Sequence, residues 1–530
     1  MKPELQPVFA GKKVAFISVF DKQGLEPLAR ALSERYGYVI LSTGGTKKFL
    51  DERNIPAIES SEITGFGELL GGRVKSLHPE IFAGILAESK DRQDKDTVPF
   101  AVDVVVVNLY PFEAERDRFA QEEDSQDPLH MLHFVDIGGS ALIRAAAKNY
   151  PLVNVLGSPA QYEGFLAEME QGNGSTSLSF RKKLAVEAFA QSSYYDGLVQ
   201  RYLMSQLSKP EAQTALPDAL TLPLSKITDL RYGENPHQQA ALYGLAKRHV
   251  DFEYLHGKEL SYNNILDMQA AWNIATEFNE NPACVIVKHN NPCGVAISTR
   301  SVQDAFQRAL DTDPLSAFGG VVAFNQPVTE AAAKLMKDIF LEVIIAPDFE
   351  PGAFELLSTK KNLRLVKRDL PELKVGQTDY KQVADDLFLV QTVDEKKAKL
   401  GNMGFQIATE QKPTDAQLED MVFAWKIVKH VKSNAIVLAK DGKTVGIGGG
   451  QTSRIGALES ALKLACDQAK DAVLASDGFL PHEDNIYAAA QARVGAIIQP
   501  GGSVKDPEVI KLANQYHIAM VTTGVREFRH

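Results

Sequence analysis

The chain has 530 residues, 44% hydrophobic and 24% charged, with a net charge of −11. This is the balance of a folded chain, long enough for roughly two to four domains of about 100–200 residues each, and too acidic for a general nucleic-acid binder, although local basic pockets for phosphates remain open. Three cysteines are too few for a disulfide framework, and MKPELQPVFAGKKVAFISVF has no secretory pattern. With no apolar run of about 18 residues to cross a bilayer, a cytoplasmic protein with no membrane and no nucleic-acid partner is expected.

In chain order, KVAFISV reads as a strand, GLEPLARALSERYG as a helix, YVILS as a strand and TKKFLDERN as a helix. VDVVVVNLY is an apolar, Val-rich run typical of a strand buried on both faces. ALIRAAAKNY (helix), VNVLG (strand) and QYEGFLAEME (helix) follow, and a long helix, RKKLAVEAFAQSSYYDGLVQRYLMSQL, closes the region. This alternation predicts a doubly wound parallel sheet. SKPEAQTALPDALTLP lacks apolar periodicity and reads as a linker, giving a first domain at 1–205, a linker at 206–222 and a second domain at 223–530.

The second domain is α/β as well. ACVIVKH is a strand that ends in a polar loop, VQDAFQRAL a helix, GGVVAF a strand, AAAKLMKDIF a helix and VIIAP a strand. AIVLAKDGKTVGIGGG reads as a hairpin turning at Asp441-Gly442. A helix, ALESALKLACDQA, leads into DAVLAS, NIYAAAQA and GAIIQP, which repeat a strand–helix–strand order. LSAFGGVVAF…VIIAP and DAVLASDGF…AIIQP share one order, which hints at a duplicated unit.

The loops carry the chemistry. Ser42-Thr43-Gly44-Gly45-Thr46 joins a strand to a helix, where glycines admit a ligand and free N–H groups suit a phosphate. A plain Thr cap on a tight turn is the competing reading. Asp136-Ile137-Gly138-Gly139-Ser140 opens another helix that carries Arg144 and Lys148. Arg73 and Lys75 flank one residue in a Gly-rich bend, so in extended chain they share a face; a solvated basic turn is the alternative. Asn108 and Tyr110 end the VDVVVV strand, where open α/β sheets bind ligands.

Together with Ser18-Val19-Phe20-Asp21-Lys22, the motifs STGGT, GGRVKSLHP, NLYPF and DIGGSALIRAAAKN resemble, in order and spacing, the inosine monophosphate cyclohydrolase domain. The resemblance implies a methylglyoxal-synthase-like fold. It implies substrate binding by Ser18, Lys22, Thr43, Gly45, Thr46, Arg73, Asn108 and Gly138. It gives Lys75, Tyr110, Asp136 and Lys148 the tasks of stabilising an oxyanion and moving protons.

In the second domain, Lys288-His289-Asn290-Asn291-Pro292-Cys293-Gly294 follows a strand. His suits proton transfer near neutral pH, and the adjacent Lys favours the neutral imidazole. A zinc deaminase of bases would carry HxE and PCxxC; here Ala296 stands three after Cys293 and no HxE precedes it. CxxC, HExxH and Walker A patterns are absent too, so no metal or ATP requirement is read. Arg231-Tyr232-Gly233-Glu234-Asn235-Pro236-His237-Gln238 offers a cation, an aromatic face and amides. Asn434 could hold an amide or oxyanion, and Gly448-Gly449-Gly450-Gln451-Thr452-Ser453-Arg454 opens a helix as an anion site. The terminal Arg526-Glu527-Phe528-Arg529-His530 follows a strand-like AMVTTG, which would hold it in place.

LRYGENPHQ, VKHNNPCG, DPLSAFGG, EVIIAP, SNAI, GGGQTSRI, SDGFLP and REFRH resemble the aminoimidazole carboxamide ribotide transformylase, built from duplicated cytidine-deaminase-like α/β units. The chain thus resembles the bifunctional purine-synthesis family that joins both activities. The resemblance implies formyl transfer from 10-formyltetrahydrofolate as cosubstrate, with His289 accepting a proton, Lys288 assisting and Asn434 holding the carboxamide or tetrahedral oxygen. It places Arg231, Tyr232, Gly319, Glu342, Arg454, Phe479 and Arg526 around the nucleotide, and it implies a homodimer. Two local variations are Phe20, where some members of the family have a small hydroxyl residue, and Glu527 within the C-terminal motif. A zinc-dependent deaminase and a non-catalytic ribotide sensor remain the alternatives; the first lacks its ligands, and the second has no need of paired proton-transfer groups.

Overall fold

The computed structural model describes residues 6–67, 69–70, 74–94, 96–119, 129–207, 216–245, 251–370, 378–394 and 405–530. The chain divides into two compact units, the first Met1–Ser225 with Leu245–Lys247 and the second Lys226–Gly244 with Arg248–His530; the main division falls slightly beyond the expected linker, of which residues 208–215 lie outside the described residues.

Among the described residues, the first unit is built on five parallel strands: β1 (Val14–Val19), β2 (Val39–Ser42), β3 (Ile58–Glu59), β4 (Val102–Asn108) and β5 (Asn154–Leu156), in the order β3-β2-β1-β4-β5. β4 is buried almost throughout, as its Val run requires in a sheet covered on both faces. The strand order reverses between β1 and β4, so the crevice beyond their carboxyl ends is where such a sheet takes a ligand. The helix after β2, Gly44–Asp51, starts earlier than TKKFLDERN suggests, with Thr43 as its N-cap residue and Gly44 at φ 43°. Helix Gly138–Lys148 packs beside helix Leu178–Leu207.

In the second unit, β6 (Leu224–Leu230) pairs with β7 (Ala240–Leu245). The main sheet contains β8 (Glu253–His256), β9 (Ala283–Lys288), β10 (Asn291–Ile297), β11 (Gly320–Phe324), β12 (Leu341–Ala346) and β13 (Arg364–Lys367). A separate hairpin, β14 (Thr378–Ala384) and β15 (Leu387–Thr392), precedes the other half of that sheet. This second half contains β16 (Gln406–Ile407), β17 (Ile436–Lys440), β18 (Lys443–Gly448), β19 (Val473–Ser476), β20 (Ala496–Gln499) and β21 (Ala519–Thr522). The order is β16-β21-β20-β19-β17-β18-β10-β9-β11-β12-β13-β8. Read outward from the β10/β18 pair, both halves follow one plan of hairpin, three parallel strands and an edge strand. The suspected duplication is therefore present in the topology.

Alternation along the strands splits the core by face. Val285 and Val287 pack with helices Tyr262–Ala275 and Asp415–Val428, whereas Cys284 and Ile286 face the opposite helical layer. The polar loop expected after β9 is instead a hairpin. His289 and Asn290, at φ 52° and 61°, form its two-residue turn, and Asn291 pairs back to Lys288. Positive φ at both central positions matches the twist of paired strands, and Asn tolerates it. The Asp441-Gly442 turn is as expected, at φ 54° and 69°. Among the described residues no helix is long and apolar enough to cross a membrane.

Candidate active sites

A cavity of about 950 Å³ opens at the carboxyl ends of β1 and β4 in the first unit. Ser18, Lys22, Thr43, Gly45, Thr46, Lys75, Asn108, Tyr110, Asp136 and Gly138 all line it. Ser18, Asn108 and Tyr110 stand at the carboxyl ends of β1 and β4, and Thr43, Gly45, Thr46, Asp136 and Gly138 at the starts of helices. Ser18 Oγ and Thr43 Oγ1 lie 2.7 Å apart, and Thr46 Oγ1 donates to the Val19 carbonyl at 3.0 Å, locking the β1 and β2 loops together. Lys22 Nζ donates to the carbonyls of Val19 (3.1 Å) and Phe20 (3.0 Å). Burial and the nearby Lys75 lower its pKa, partly offset by Asp21.

Asp136 Oδ1 accepts from the Gly139 N–H at 2.7 Å, capping the first turn of Gly138–Lys148, and its own N–H donates to Tyr195 Oη at 2.8 Å. Burial pushes the Asp136 carboxyl up, against the N–H groups of Gly139 and Tyr110 and the cation of Lys75. Gly139 is required here, since a Cβ would sit 2.5 Å from Asp136 Oδ2. The Phe20 ring meets Tyr110 edge-on at 5.5 Å.

Three expectations change. Asn108 lines the cavity, but its amide is occupied by protein: Oδ1 accepts from the N–H groups of Phe20 (2.5 Å) and Asp21 (3.0 Å), and Nδ2 donates to the Asp21 carbonyl (2.8 Å). It fastens the loop that carries Lys22. Lys148 does not line the cavity; it is exposed in the last turn of the helix whose first residue does, about 15 Å along the axis. Arg73 lies outside the described residues. Tyr195, whose hydroxyl bridges the Asp136 N–H and the Phe134 carbonyl (2.7 Å), was missed because it lies on a distant helix.

In the second unit, the mirrored sheet gathers the remaining residues at one end. β9 finishes at Lys288 beside the starts of β11 and β12, where Gly319 and Glu342 stand. Because β18 runs antiparallel to β10, it ends beside the start of β10, next to the start of β17 and the finish of β19. Asn434, Arg454 and Phe479 belong to those segments. The Lys432 N–H reaches Asn291 Oδ1 at 3.5 Å across this end. Arg231 and Tyr232 adjoin the start of helix Tyr262–Ala275, the Tyr232 carbonyl accepting from the Tyr262 N–H, and the guanidinium stacks on the tyrosine ring at 4.3 Å.

His289 is exposed at the apex of its turn. Lys288 Nζ donates to the Phe318 carbonyl at 2.8 Å, tethering it to the Gly319 loop. Asp267 Oδ1 accepts from the Asn290 N–H at 2.6 Å, and burial pushes its carboxyl up. Two expected nucleotide ligands are engaged by protein: Glu342 pairs with the buried Arg364, and Arg454 with the buried Asp477. The tail is held as expected. The Arg529 N–H donates to Ser433 Oγ at 3.1 Å, and Arg526 stacks over Phe528 at 4.4 Å, so Arg526 and half-exposed Phe479 remain available to a ligand. Burial pushes the Cys293 thiol up to about 12.

Two family models match the chain: "AICARFT/IMPCHase bienzyme" over residues 146–464 and "MGS-like domain" over residues 24–138. The "Bifunctional purine biosynthesis protein PurH" of Caldicellulosiruptor saccharolyticus is 46% identical over 530 residues, covering 98% of this chain and 100% of that protein. Proteins of the same description from Persephonella marina and Nostoc punctiforme are 45% and 42% identical, with the same coverage.

Proposed function

Because the chain belongs to the AICARFT/IMPCHase bienzyme family, it is a bifunctional enzyme of the last two steps of inosine monophosphate synthesis, and we propose that each unit holds one of the two reactions. Formyl transfer belongs to the second unit. The observation that carries this assignment is the convergence of Lys288, His289, Asn434, Arg454 and Phe479 at one end of the mirrored sheet.

There the 5-amino group of the ribotide attacks the formyl carbon of 10-formyltetrahydrofolate. His289 accepts the amine proton, and Lys288 assists departure of the folate nitrogen. Asn434 holds the carboxamide or the tetrahedral oxygen. Arg231, Tyr232 and Arg526 take the nucleotide, with Arg suited to phosphate and aromatic faces to the base. Arg454, Gly319, Glu342 and Phe479 complete the pocket.

Closure belongs to the first unit. The carboxamide nitrogen attacks the formyl carbon and one water leaves. Ser18, Thr43, Gly45, Thr46 and Gly138, with Lys22 and Arg73, bind the formylated ribotide, and Lys75 and Tyr110 stabilise the oxyanion. Asp136, whose carboxyl burial pushes up, moves a proton. The step is intramolecular, so positioning supplies much of the rate. Neither step needs a metal or ATP, because the formyl group arrives activated on folate.

The enzyme acts in the cytoplasm as a homodimer. Leu387, Phe388 and Leu389 of β15 are exposed, and a second copy would cover that apolar surface. The test is to incubate protein with the ribotide and 10-formyltetrahydrofolate while following tetrahydrofolate and inosine monophosphate. Wild type makes both products, His289→Ala releases no folate product, and Lys75→Ala accumulates the formylated intermediate. Ribotide binding without either product would favour a sensor.

A further inference from the structure

The Asp477 side chain is wholly buried, yet it joins three segments assigned to the formyl-transfer site. Oδ1 accepts from Arg454 Nη1 and from the Ala435 N–H at 3.1 Å, while Oδ2 accepts from Ser433 Oγ at 2.5 Å. Asn434 is therefore pinned through both of its neighbours. The Asp477 carbonyl also accepts the Glu527 N–H at 2.9 Å, which anchors the strap carrying Arg526. The next residue, Gly478, leaves room for this packing: a Cβ there would lie 2.5 Å from Arg454 Nη2 and 2.6 Å from the Phe528 ring.

The other half of the sheet supplies an internal control. Asp477 directly follows β19, and its counterpart directly following β11 is Asn325. Asn325 Oδ1 accepts from the Ala283 N–H at 2.7 Å, as Asp477 does from Ala435, each donor standing at the start of the neighbouring hairpin. Asn325 Nδ2 donates to the carbonyls of Phe278 and Asn281. Arg454 follows the helix-capping Ser453; the residue after the matching cap, Ser301, is Val302. Where no cation faces this position, a neutral amide serves the fold. Asp477 stands at the end of the sheet where Lys288 and Asn434 gather, whereas Asn325 stands at the opposite end, by the start of β9.

We propose that Asp477 is a positioning residue for formyl transfer, fixing the Arg454 guanidinium and the Asn434 loop in register with one another. This rests on the site assignment above. Its charge also offsets that of a buried guanidinium, which alone would be costly.

The test is Asp477→Asn, with the cyclohydrolase rate of the same protein as a control for the amount of enzyme and its melting transition as fold control. The KM for the ribotide rises about tenfold or more and the transferase kcat falls, while ring closure is unchanged. Transferase kcat and KM both within about twofold of wild type, at whatever melting temperature, would overturn the proposal. If Asp477→Asn does not fold, Ser433→Ala decides: it removes one of the two holds beside Asn434, and with it the Arg529 N–H anchor, but keeps the charge pair. A lowered kcat with unchanged KM for the ribotide supports the role, and an unchanged kcat refutes it. Should wild type bind ribotide without transferring formyl, the reaction assignment falls; ribotide affinity by calorimetry, weaker in Asp477→Asn or not, still decides the positioning role.

Discussion

Asp267 and Asp420 hold the same place in the two halves of the second unit. Each lies six residues past its helix's N-cap residue (261 to 267 and 414 to 420), and each carboxylate accepts N–H groups from a two-residue hairpin turn. Burial pushes both carboxyls up. One turn presents His289; the other is Asp441-Gly442 and presents no residue assigned to chemistry.

This equality separates architecture from catalysis. Asp267→Asn should lower transferase kcat about tenfold, because the His289 turn loses a charge-assisted anchor. Asp420→Asn should leave kcat within about twofold and cost only on the order of 1 kcal/mol of stability. Steady-state kinetics and thermal melts of both variants check the contrast. Equal loss of kcat in both would mean that the turns serve the fold alone.

Asn108→Ala should impair ring closure without impairing formyl transfer. Its amide satisfies three backbone groups of the Phe20-Asp21 loop, and leaving them unpaired costs about 1–3 kcal/mol. The loop that carries Lys22 then wanders, so the KM for the formylated ribotide rises. Measuring both half-reactions separately tests this.

Glu527 gives a pH dependence of defined sign. Burial, then the neighbouring Asp394, push its carboxyl up to about 7, against Lys429 and with a smaller push from Glu277. The folded state therefore holds a proton that the unfolded chain releases near pH 4.5. Stability from this group is greatest at low pH and is lost as pH rises from about 4.5 through about 7. Glu527→Gln should remove that slope, raising the melting temperature most above pH 7. Parallel melting curves for the two proteins across pH 5 to 8 would expose an unchanged slope.

Phe388→Asp with Leu389→Asp should weaken self-association, since charges would replace apolar side chains more than half exposed in one chain. Light scattering over a dilution series reads the shift toward monomer. An unchanged mass would show that this surface makes no contact between copies.

Much of this was legible in the sequence. β4 declares itself through its Val run, and the cavity residues Ser18, Thr43 and Asp136 stand at strand ends or helix starts that periodicity locates. β10 was not legible, because Asn291 and Pro292 at its start lack the apolar alternation of a strand and its turn contains no glycine. Lys148 misled for a geometric reason: it is close in sequence to the Gly138 loop, but a helix carries it away. Asn108 lines the cavity, but its amide is taken by backbone groups, since which partner takes an amide depends on a loop far away in the chain. Asp267 and Asp477 act through contacts between distant segments, and no local pattern records them.

The single sheet running through both halves ties the two halves of the second unit together. Fragments divided between β15 and β16 would each end in a newly open edge, β10 on one and β18 on the other. Unpaired edges template either aggregation or the missing neighbour. Neither fragment would hold a full complement of groups, since His289 stays with one and Asn434 with the other. Co-expressed, they would regain formyl transfer only by zipping those edges together, which makes the enzyme a natural split reporter of its own assembly.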